Sequence, residues 1–311
     1  METLKGKVIL VTGGAGFLGK NVINELINNG AEESKIIIPR SNEFDLRQEE
    51  ACARLLSKAD LCIHLAANVG GIGYNQAYPY SLFYDNMTMG VNIVEAARIA
   101  GVEKLLVVGT ICAYPKFTPV PFKEEELWNG YPEETNAPYG LAKKMLLVQL
   151  QACRQQHGLN GVFLLPVNLY GPGDEFSDER SHVVPALIKR FYNAKVNNDK
   201  EVVVWGTGTA TREFLYVEDA GEGVVKALLH YNKPEPVNLG AGFEISIRDL
   251  VGKIADIIGY DGEIIWDTSK PDGQPRRCLD TARAELEFSF KAKTSFDEGL
   301  KKTIEWYGKN A

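Results

Sequence analysis

Short apolar runs recur through the first half of the chain, with a helix-length segment between each and the next. They read KVILVT (7–12), KIIIP (35–39), DLCIHLA (60–66), KLLVVGT (104–110) and GVFLLPV (161–167), and the segments between them include 17–29, 48–58, 81–100 and 138–157. Strands that are apolar throughout, without polar alternation, are buried on both faces. Helices crossing between parallel strands provide that cover. Right-handed crossovers then give an α/β fold, a doubly wound parallel sheet of the Rossmann type. After about residue 167 the rhythm loosens into loops with Gly and Pro. Short strands are expected near 201–205 and 213–217, and helices near 182–194, 218–231 and 246–258.

The stretch VTGGAGFLGK places Gly13, Gly16 and Gly19 directly after the first strand, with Phe17 and Leu18 opening the first helix. Small residues let the backbone turn sharply and approach a pyrophosphate, which then sits at the positive end of the helix. A glycine-rich turn alone has a plain structural explanation, but following a strand in an alternating α/β pattern it marks a dinucleotide site. The end of the second strand selects the dinucleotide. An NAD site would place an acidic residue there for the ribose hydroxyls. Here Arg40 and Ser41 stand first, with Glu43 and Asp45 further along. A cation and a hydroxyl suit a 2′-phosphate, which favours NADP(H) over NAD(H). In DLCIHLAA, Asp60 is expected near the adenine, and the Ala66–Ala67 backbone under the cofactor. Residues 1–167 are therefore read as the NADP(H)-binding Rossmann domain. Residues 168–311 are read as a smaller α/β C-terminal substrate-binding region, partly interleaved with the first.

Tyr139 and Lys143 are four residues apart, on one face of the helix expected over 138–157, with Thr135 or Asn136 as its cap and Pro138 in its first turn. A tyrosine titrates near 10, so acid–base work near neutrality calls for a lower value, and Lys143 and the helix end both push that way. Thr110 and Cys112 lie just past the fourth strand, in GTICAYP. A cysteine there is ordinarily a small buried hydrophobe, and His182 before VVPAL is ordinarily a helix-start histidine with a satisfied hydrogen bond. His64, His157 and His230 have no motif around them and are read as structural.

Composition restricts the partners. The 311 residues are 45% hydrophobic and 24% charged, with a net charge of -7 and a pI near 5.3, which argues against a general nucleic-acid or anionic-membrane surface. The five cysteines, Cys52, Cys62, Cys112, Cys153 and Cys278, are scattered without a CxxC pair. They fit reduced thiols and offer no metal framework. The start METLKGKVILVTGG runs straight into a strand with no signal-peptide pattern, and no apolar run approaches the roughly 18 residues of a membrane span. A cytoplasmic location is expected.

TGGAGFLG, HLAANVGGI, GTICAYP, YGLAK, PVNLYGPGD, SHVVPALIKR, VWGTGTATREFLYVEDA and PDGQPRR occur in this order across residues 11–277. In these motifs the chain resembles the extended short-chain dehydrogenase/reductases (the NAD-dependent epimerase/dehydratase family), and within them the GDP-L-fucose synthases. The glycine turn and YGLAK belong to the whole superfamily. ICAYPK, NLYGP, SHVVPAL and TREFLYVEDA are more discriminating. The resemblance implies 3,5-epimerisation and NADPH-dependent 4-keto reduction of a GDP-4-keto-6-deoxy-hexose. Thr110, Tyr139 and Lys143 would form the hydride-transfer group, Cys112 the base for the protons at C3 and C5, and His182 the acid on the opposite face. It also implies a GDP-linked substrate, with diphosphate ligands at Arg190 and Arg212, and a homodimer through the helices around 81–100 and 138–157. A diphosphate needs cations, so Lys270 is a further candidate, Asn168 can donate from its amide, and Trp205 can pack on the nucleotide or sugar.

Three positions depart from the family pattern. Asn68 stands where a lysine is common, Thr110 replaces serine, and the glycine turn lacks a basic residue that many relatives carry. Another GDP-sugar, such as a 6-deoxyheptose, with only one of the two activities, is the alternative these departures leave open.

Overall fold

The computed structural model describes residues 3–270 and 272–311, so Pro271, which opens the PDGQPRR motif, lies outside the described residues. Six strands form one parallel sheet in the order Val237–Leu239, Gly161–Pro166, Lys104–Val108, Leu61–His64, Ile9–Thr12 and Ile36–Ile37. The four middle strands are buried along their whole length, as continuous apolar runs require. Chain order reverses direction at Ile9–Thr12, the position where an open α/β sheet leaves a crevice beyond its strand ends.

The sheet-covering helices include Phe17–Asn28, Pro79–Ala100, Ala137–His157 and Val217–His230. Pro79 and Pro138 occupy first turns, where proline's missing N–H is no loss. Gly101 and Gly158 end their helices in the left-handed region. Asn136 does stand at the N-cap of Ala137–His157, but its side chain does not cap. Its amide is engaged by Asn75 at 3.1 Å and by Glu133 instead.

The second half of the chain divides between two apolar clusters among the described residues. Leu215, Val224, Leu228, Val237 and Leu239 pack into the core of the main sheet. Phe191, Phe214, Tyr216, Leu250, Ile254 and Leu300 form a second cluster around the helices Val183–Asn197, Ile247–Ile258 and Phe296–Asn310. Three small sheets accompany it: Asn168–Tyr170 with Phe214–Tyr216, Glu201–Trp205 with Glu263–Asp267, and Thr211–Arg212 between Ile245–Ser246 and Arg276–Arg277. Among the described residues, no helix is long and apolar enough to cross a membrane.

Candidate active site

The glycine turn follows Thr12 at the carboxyl end of the first strand. Gly13 has φ +71°, and a Cβ there would stand 2.8 Å from the Ala66 backbone nitrogen. Only glycine fits, and the turn is thereby pressed onto the Ala66–Ala67 segment that follows the neighbouring strand. Gly16 is the N-cap of Phe17–Asn28, with no side-chain cap and no acidic residue in the first turn. The free N–H groups and positive pole of that helix are thus left for an anion. Leu18 packs on the main core, and Gly19 is buried in the first turns of the helix. Arg40 and Ser41 are exposed just beyond Ile36–Ile37.

Asp60 is a correction. Its carboxylate accepts from the Val8 N–H at 2.7 Å, and its carbonyl accepts from Glu103 at 2.9 Å. Both contacts lie at the amino ends of the strands, opposite the glycine turn. Asp60 ties the sheet together from below and cannot reach a nucleotide bound above it.

Thr110, 8% exposed, ends the extended run after Lys104–Val108, and its hydroxyl accepts from the Cys112 N–H at 3.1 Å. That bond starts a single turn, Ile111–Ala113, which turns Cys112 out of line with the strand. Gly140 lies against this turn, since a Cβ there would collide with the Cys112 carbonyl oxygen. Tyr139 is therefore delivered beside both Thr110 and Cys112. Burial pushes the Tyr139 phenol above its ordinary value. The neighbouring Cys112 adds to that, and a hydrogen bond with Thr110 opposes it. The direction is opposite to that expected from Lys143 and the helix end, because removing the phenolate from water is the largest influence on it. The phenol is protonated at neutral pH. Lys143, 2% exposed, is lowered to about 8 by burial.

Lys143 also depresses its neighbour His64, whose proton affinity burial has already lowered. Thr12 Oγ1 accepts from the Ala66 N–H at 3.3 Å and lies 2.8 Å from His64 Nδ1.

His182 is the N-cap of Val183–Asn197. The imidazole is exposed yet sunk among protein walls, and this desolvation lowers its pKa. The preceding segment is bound to the sheet side, since the Gly71 N–H donates to the Arg180 carbonyl at 3.0 Å. Residues 71–77 in turn touch the start of the Tyr139 helix through Asn75 and Asn136. Tyr139, Cys112 and His182, distant in sequence, are linked through these contacts.

The expected substrate residues fall into two groups. Arg212 is paired in register with Arg277, donates to the Asp272 carbonyl at 3.3 Å, and is lowered to about 10 by burial and by Arg277. It remains a cation at neutral pH. Arg190, Trp205 and Lys270 make the second group. Arg190 and Trp205 line a groove of about 570 Å³, and the Lys270 ammonium stands 5.5 Å from the Trp205 ring centroid. Arg190 donates to the Val203 carbonyl at 2.6 Å. Asn168 donates inward, to the Glu213 carbonyl at 3.3 Å.

Arg277 is a site residue that sequence reasoning missed. Its Nη1 stands 3.9 Å from Cys112 Sγ, and its buried Nε has no partner among the described residues. The signal was the second cation of PDGQPRR, but only the folded contact shows that it faces the thiol. Arg212 and Arg277 together place two neighbouring guanidinium groups on the Cys112 side of the site in an acidic protein.

A cofactor turn, a Tyr–Lys pair at a strand end and a covering region are the ingredients of one enzyme family. The model of that family, described as the NAD dependent epimerase/dehydratase family, matches residues 9–240. The chain belongs to this family. It is 40% identical over 309 residues to a "Probable GDP-L-fucose synthase 1" of Oryza sativa subsp. japonica, covering 98% of this chain and 93% of that one. It is also 40% identical over 312 residues to a "GDP-L-fucose synthase" of Sinorhizobium fredii, covering 100% and 98%. Among solved structures, a GDP-L-fucose synthetase from Naegleria fowleri bound to NADP superposes with a TM-score of 0.88 at 31% identity, covering 98% of this chain and 95% of that one.

Proposed function

We propose that the protein makes GDP-L-fucose from a GDP-4-keto-6-deoxy-hexose, by epimerising C3 and C5 and reducing the C4 ketone. The reading is carried by one strand end, which holds Thr110 beside the Tyr139 phenol and Cys112 two residues on, with Arg277 at its sulfur. A hydride-transfer group and a carbon-acid base there reach a single sugar ring. The names of the full-length relatives support the same reading.

NADP(H) fits the cradle of Gly13, Gly16 and Gly19 and the uncapped helix end, with Phe17 and Leu18 in the first turn, Ala66 and Ala67 beneath, and Arg40 and Ser41 placed for a 2′-phosphate. When bound, it supplies the hydride to C4. The protons at C3 and C5 are acidic because they flank the C4 ketone. Cys112 Sγ takes such a proton, and the electron pair moves onto O4. Thr110 and Tyr139 hydrogen-bond that oxygen where the charge develops. His182 returns a proton on the opposite face, and the centre is inverted. After both inversions Tyr139 gives its proton to O4 during reduction, a role suited to a phenol that stays protonated at neutral pH. Lys143 holds the nicotinamide ribose. Arg212 and Arg277 hold the diphosphate, Asn168 supports that wall, and Arg190, Trp205 and Lys270 border the nucleotide groove.

The protein is read as a cytoplasmic homodimer. Pro79–Ala100 and Ala137–His157 leave Phe83, Tyr84, Val91 and Val148 exposed, and Gln149 of one helix donates to the Val91 carbonyl of the other at 3.2 Å. A shared apolar surface of this kind is the feature a partner copy would cover. All five cysteines are free thiols.

The test is one incubation with GDP-4-keto-6-deoxymannose and NADPH in deuterated water. The expected product carries deuterium at C3 and C5 and forms with equimolar NADPH oxidation. Oxidation without label would leave a reductase alone, and no turnover would assign the site to another sugar. Cys112→Ser is expected to lose label and inversion, whereas NADP+ reduction by GDP-L-fucose persists.

A further inference from the structure

His182 must face the sugar from the side opposite Cys112, yet it belongs to a loop and not to the sheet. The residues that fix this loop are in the stretch GIGYNQAYPY, for which the catalytic reading has no use. Tyr74 is 7% exposed, and the guanidinium of Arg180, two residues before His182, lies over its ring at 4.6 Å from the centroid. The same Arg180 donates through Nη2 to the Tyr74 hydroxyl at 2.8 Å. The Tyr74 hydroxyl in turn donates to Asn68 Oδ1 at 3.0 Å, and Asn68 Nδ2 donates to Asp85 at 3.0 Å. The Asn68 backbone is held on both sides by Asn86, which is 1% exposed in the Pro79–Ala100 helix.

Each link uses the geometry of its donor. The Tyr74 hydroxyl donates once and accepts once, so the chain runs in one direction from Arg180 to Asp85. Asp85 is also the acceptor for Arg47, at 3.1 Å, which in turn holds Asp45 at 2.9 Å on the loop following the second strand. The acidic end is thus anchored in a long helix and the cationic end in the histidine loop. The carbonyl of Arg180 meanwhile accepts from the Gly71 N–H at 3.0 Å. Side chain and backbone of one residue are fastened to the same turn.

We infer that Tyr74 and Arg180 form a clamp that positions His182 for protonation of the sugar, and that they are positioning residues for epimerisation with no part in hydride transfer. The inference rests on the function proposed above. The step they govern is balanced: a proton leaves C3 or C5 for Cys112 Sγ and the electron pair moves onto O4, then the C=O bond re-forms and the pair takes a proton from the His182 imidazolium, making the new C–H bond on the other face. With His182 displaced, Cys112 still removes the proton, exchanges it with solvent and returns it on the same face. Deuterium then enters without inversion.

Tyr74→Phe keeps the ring under Arg180 and removes both hydroxyl bonds, whereas Arg180→Gln removes the stacked cation. Each is assayed in two ways: with the ketone and NADP+ in deuterated water, scoring label and inversion separately, and with GDP-L-fucose and NADP+, scoring hydride transfer alone. Inversion should fall by about a hundredfold, the scale of an ångström of misplacement. The ratio of label to inversion should rise, and hydride transfer should stay at the wild-type rate. Inversion unchanged in both variants overturns the clamp. So does a parallel fall of inversion and hydride transfer, which would mean general damage. A wild-type protein that reduces NADP+ with GDP-L-fucose but neither labels nor inverts the ketone removes the functional reading instead, and the clamp with it.

Discussion

Lys143 is nearly inaccessible to solvent, and burial alone lowers it from 10.5 to about 8. Its effect on stability follows from linkage. Between these two values the unfolded chain binds a proton that the folded chain does not, so stability rises with pH there. Below about 8 both states carry the charge, and the folded state bears the whole desolvation penalty. A shift from 10.5 to about 8, at about 1.4 kcal/mol per unit, makes that penalty roughly 3 kcal/mol. Lys143→Met keeps the length of the side chain and removes the charge. It should therefore stabilise the nucleotide-free protein by about 3 kcal/mol at pH 7. With an unfolding entropy of about 2.1 cal/mol/K per residue over 311 residues, this is a rise in Tm of about 5 °C. The gain should shrink as pH climbs past 8 and be gone by about 10.5. Calorimetry of both proteins at pH 7 and pH 10 checks it, alongside an assay in which the variant should have lost hydride transfer. Equal Tm values at pH 7, or a gain of the same size at pH 10, would refute the account of a penalised buried ammonium.

Two further outcomes separate the ends of the sheet. Asp60→Ala should leave NADPH affinity unchanged in a fluorescence titration, yet lower stability by about 1–3 kcal/mol, because the Val8 N–H loses its acceptor. Arg40→Ala should weaken NADPH by roughly tenfold or more while leaving NADH unchanged, the scale of one charge-assisted hydrogen bond, as read from the ratio of kcat/KM for the two cofactors.

The sheet was legible where the sequence repeats its own signal. Apolar runs of four to six residues placed the strands Ile9–Thr12, Leu61–His64, Lys104–Val108 and Gly161–Pro166, and the glycine turn stood out because strand, turn and helix are contiguous. The sixth strand, Val237–Leu239, was not legible. It has three residues, and pairing with Gly161–Pro166 gives it its identity, not any pattern of its own. The four chemical groups near Thr110 were readable as candidates. The direction of the Tyr139 shift was not, because burial is a property of the packed site. Asp60 shows the limit of reading outward from a strand: the residue was correctly placed next to the third strand, but at the wrong end. Arg277 escaped for the reason that hides most cross-strand neighbours, since its register with Arg212 joins residues far apart in the chain.

Gly140 leaves no room for a side chain between the Tyr139 helix and the Cys112 carbonyl. On the proposed roles, the phenol and the thiol therefore share one rigid frame, whereas the imidazole is attached through a separate loop. Stereochemical outcome and redox chemistry are thus separable in heredity. A lineage, or a designer, can rewrite the histidine loop and gain or lose an inverted centre while inheriting the ketone reductase intact.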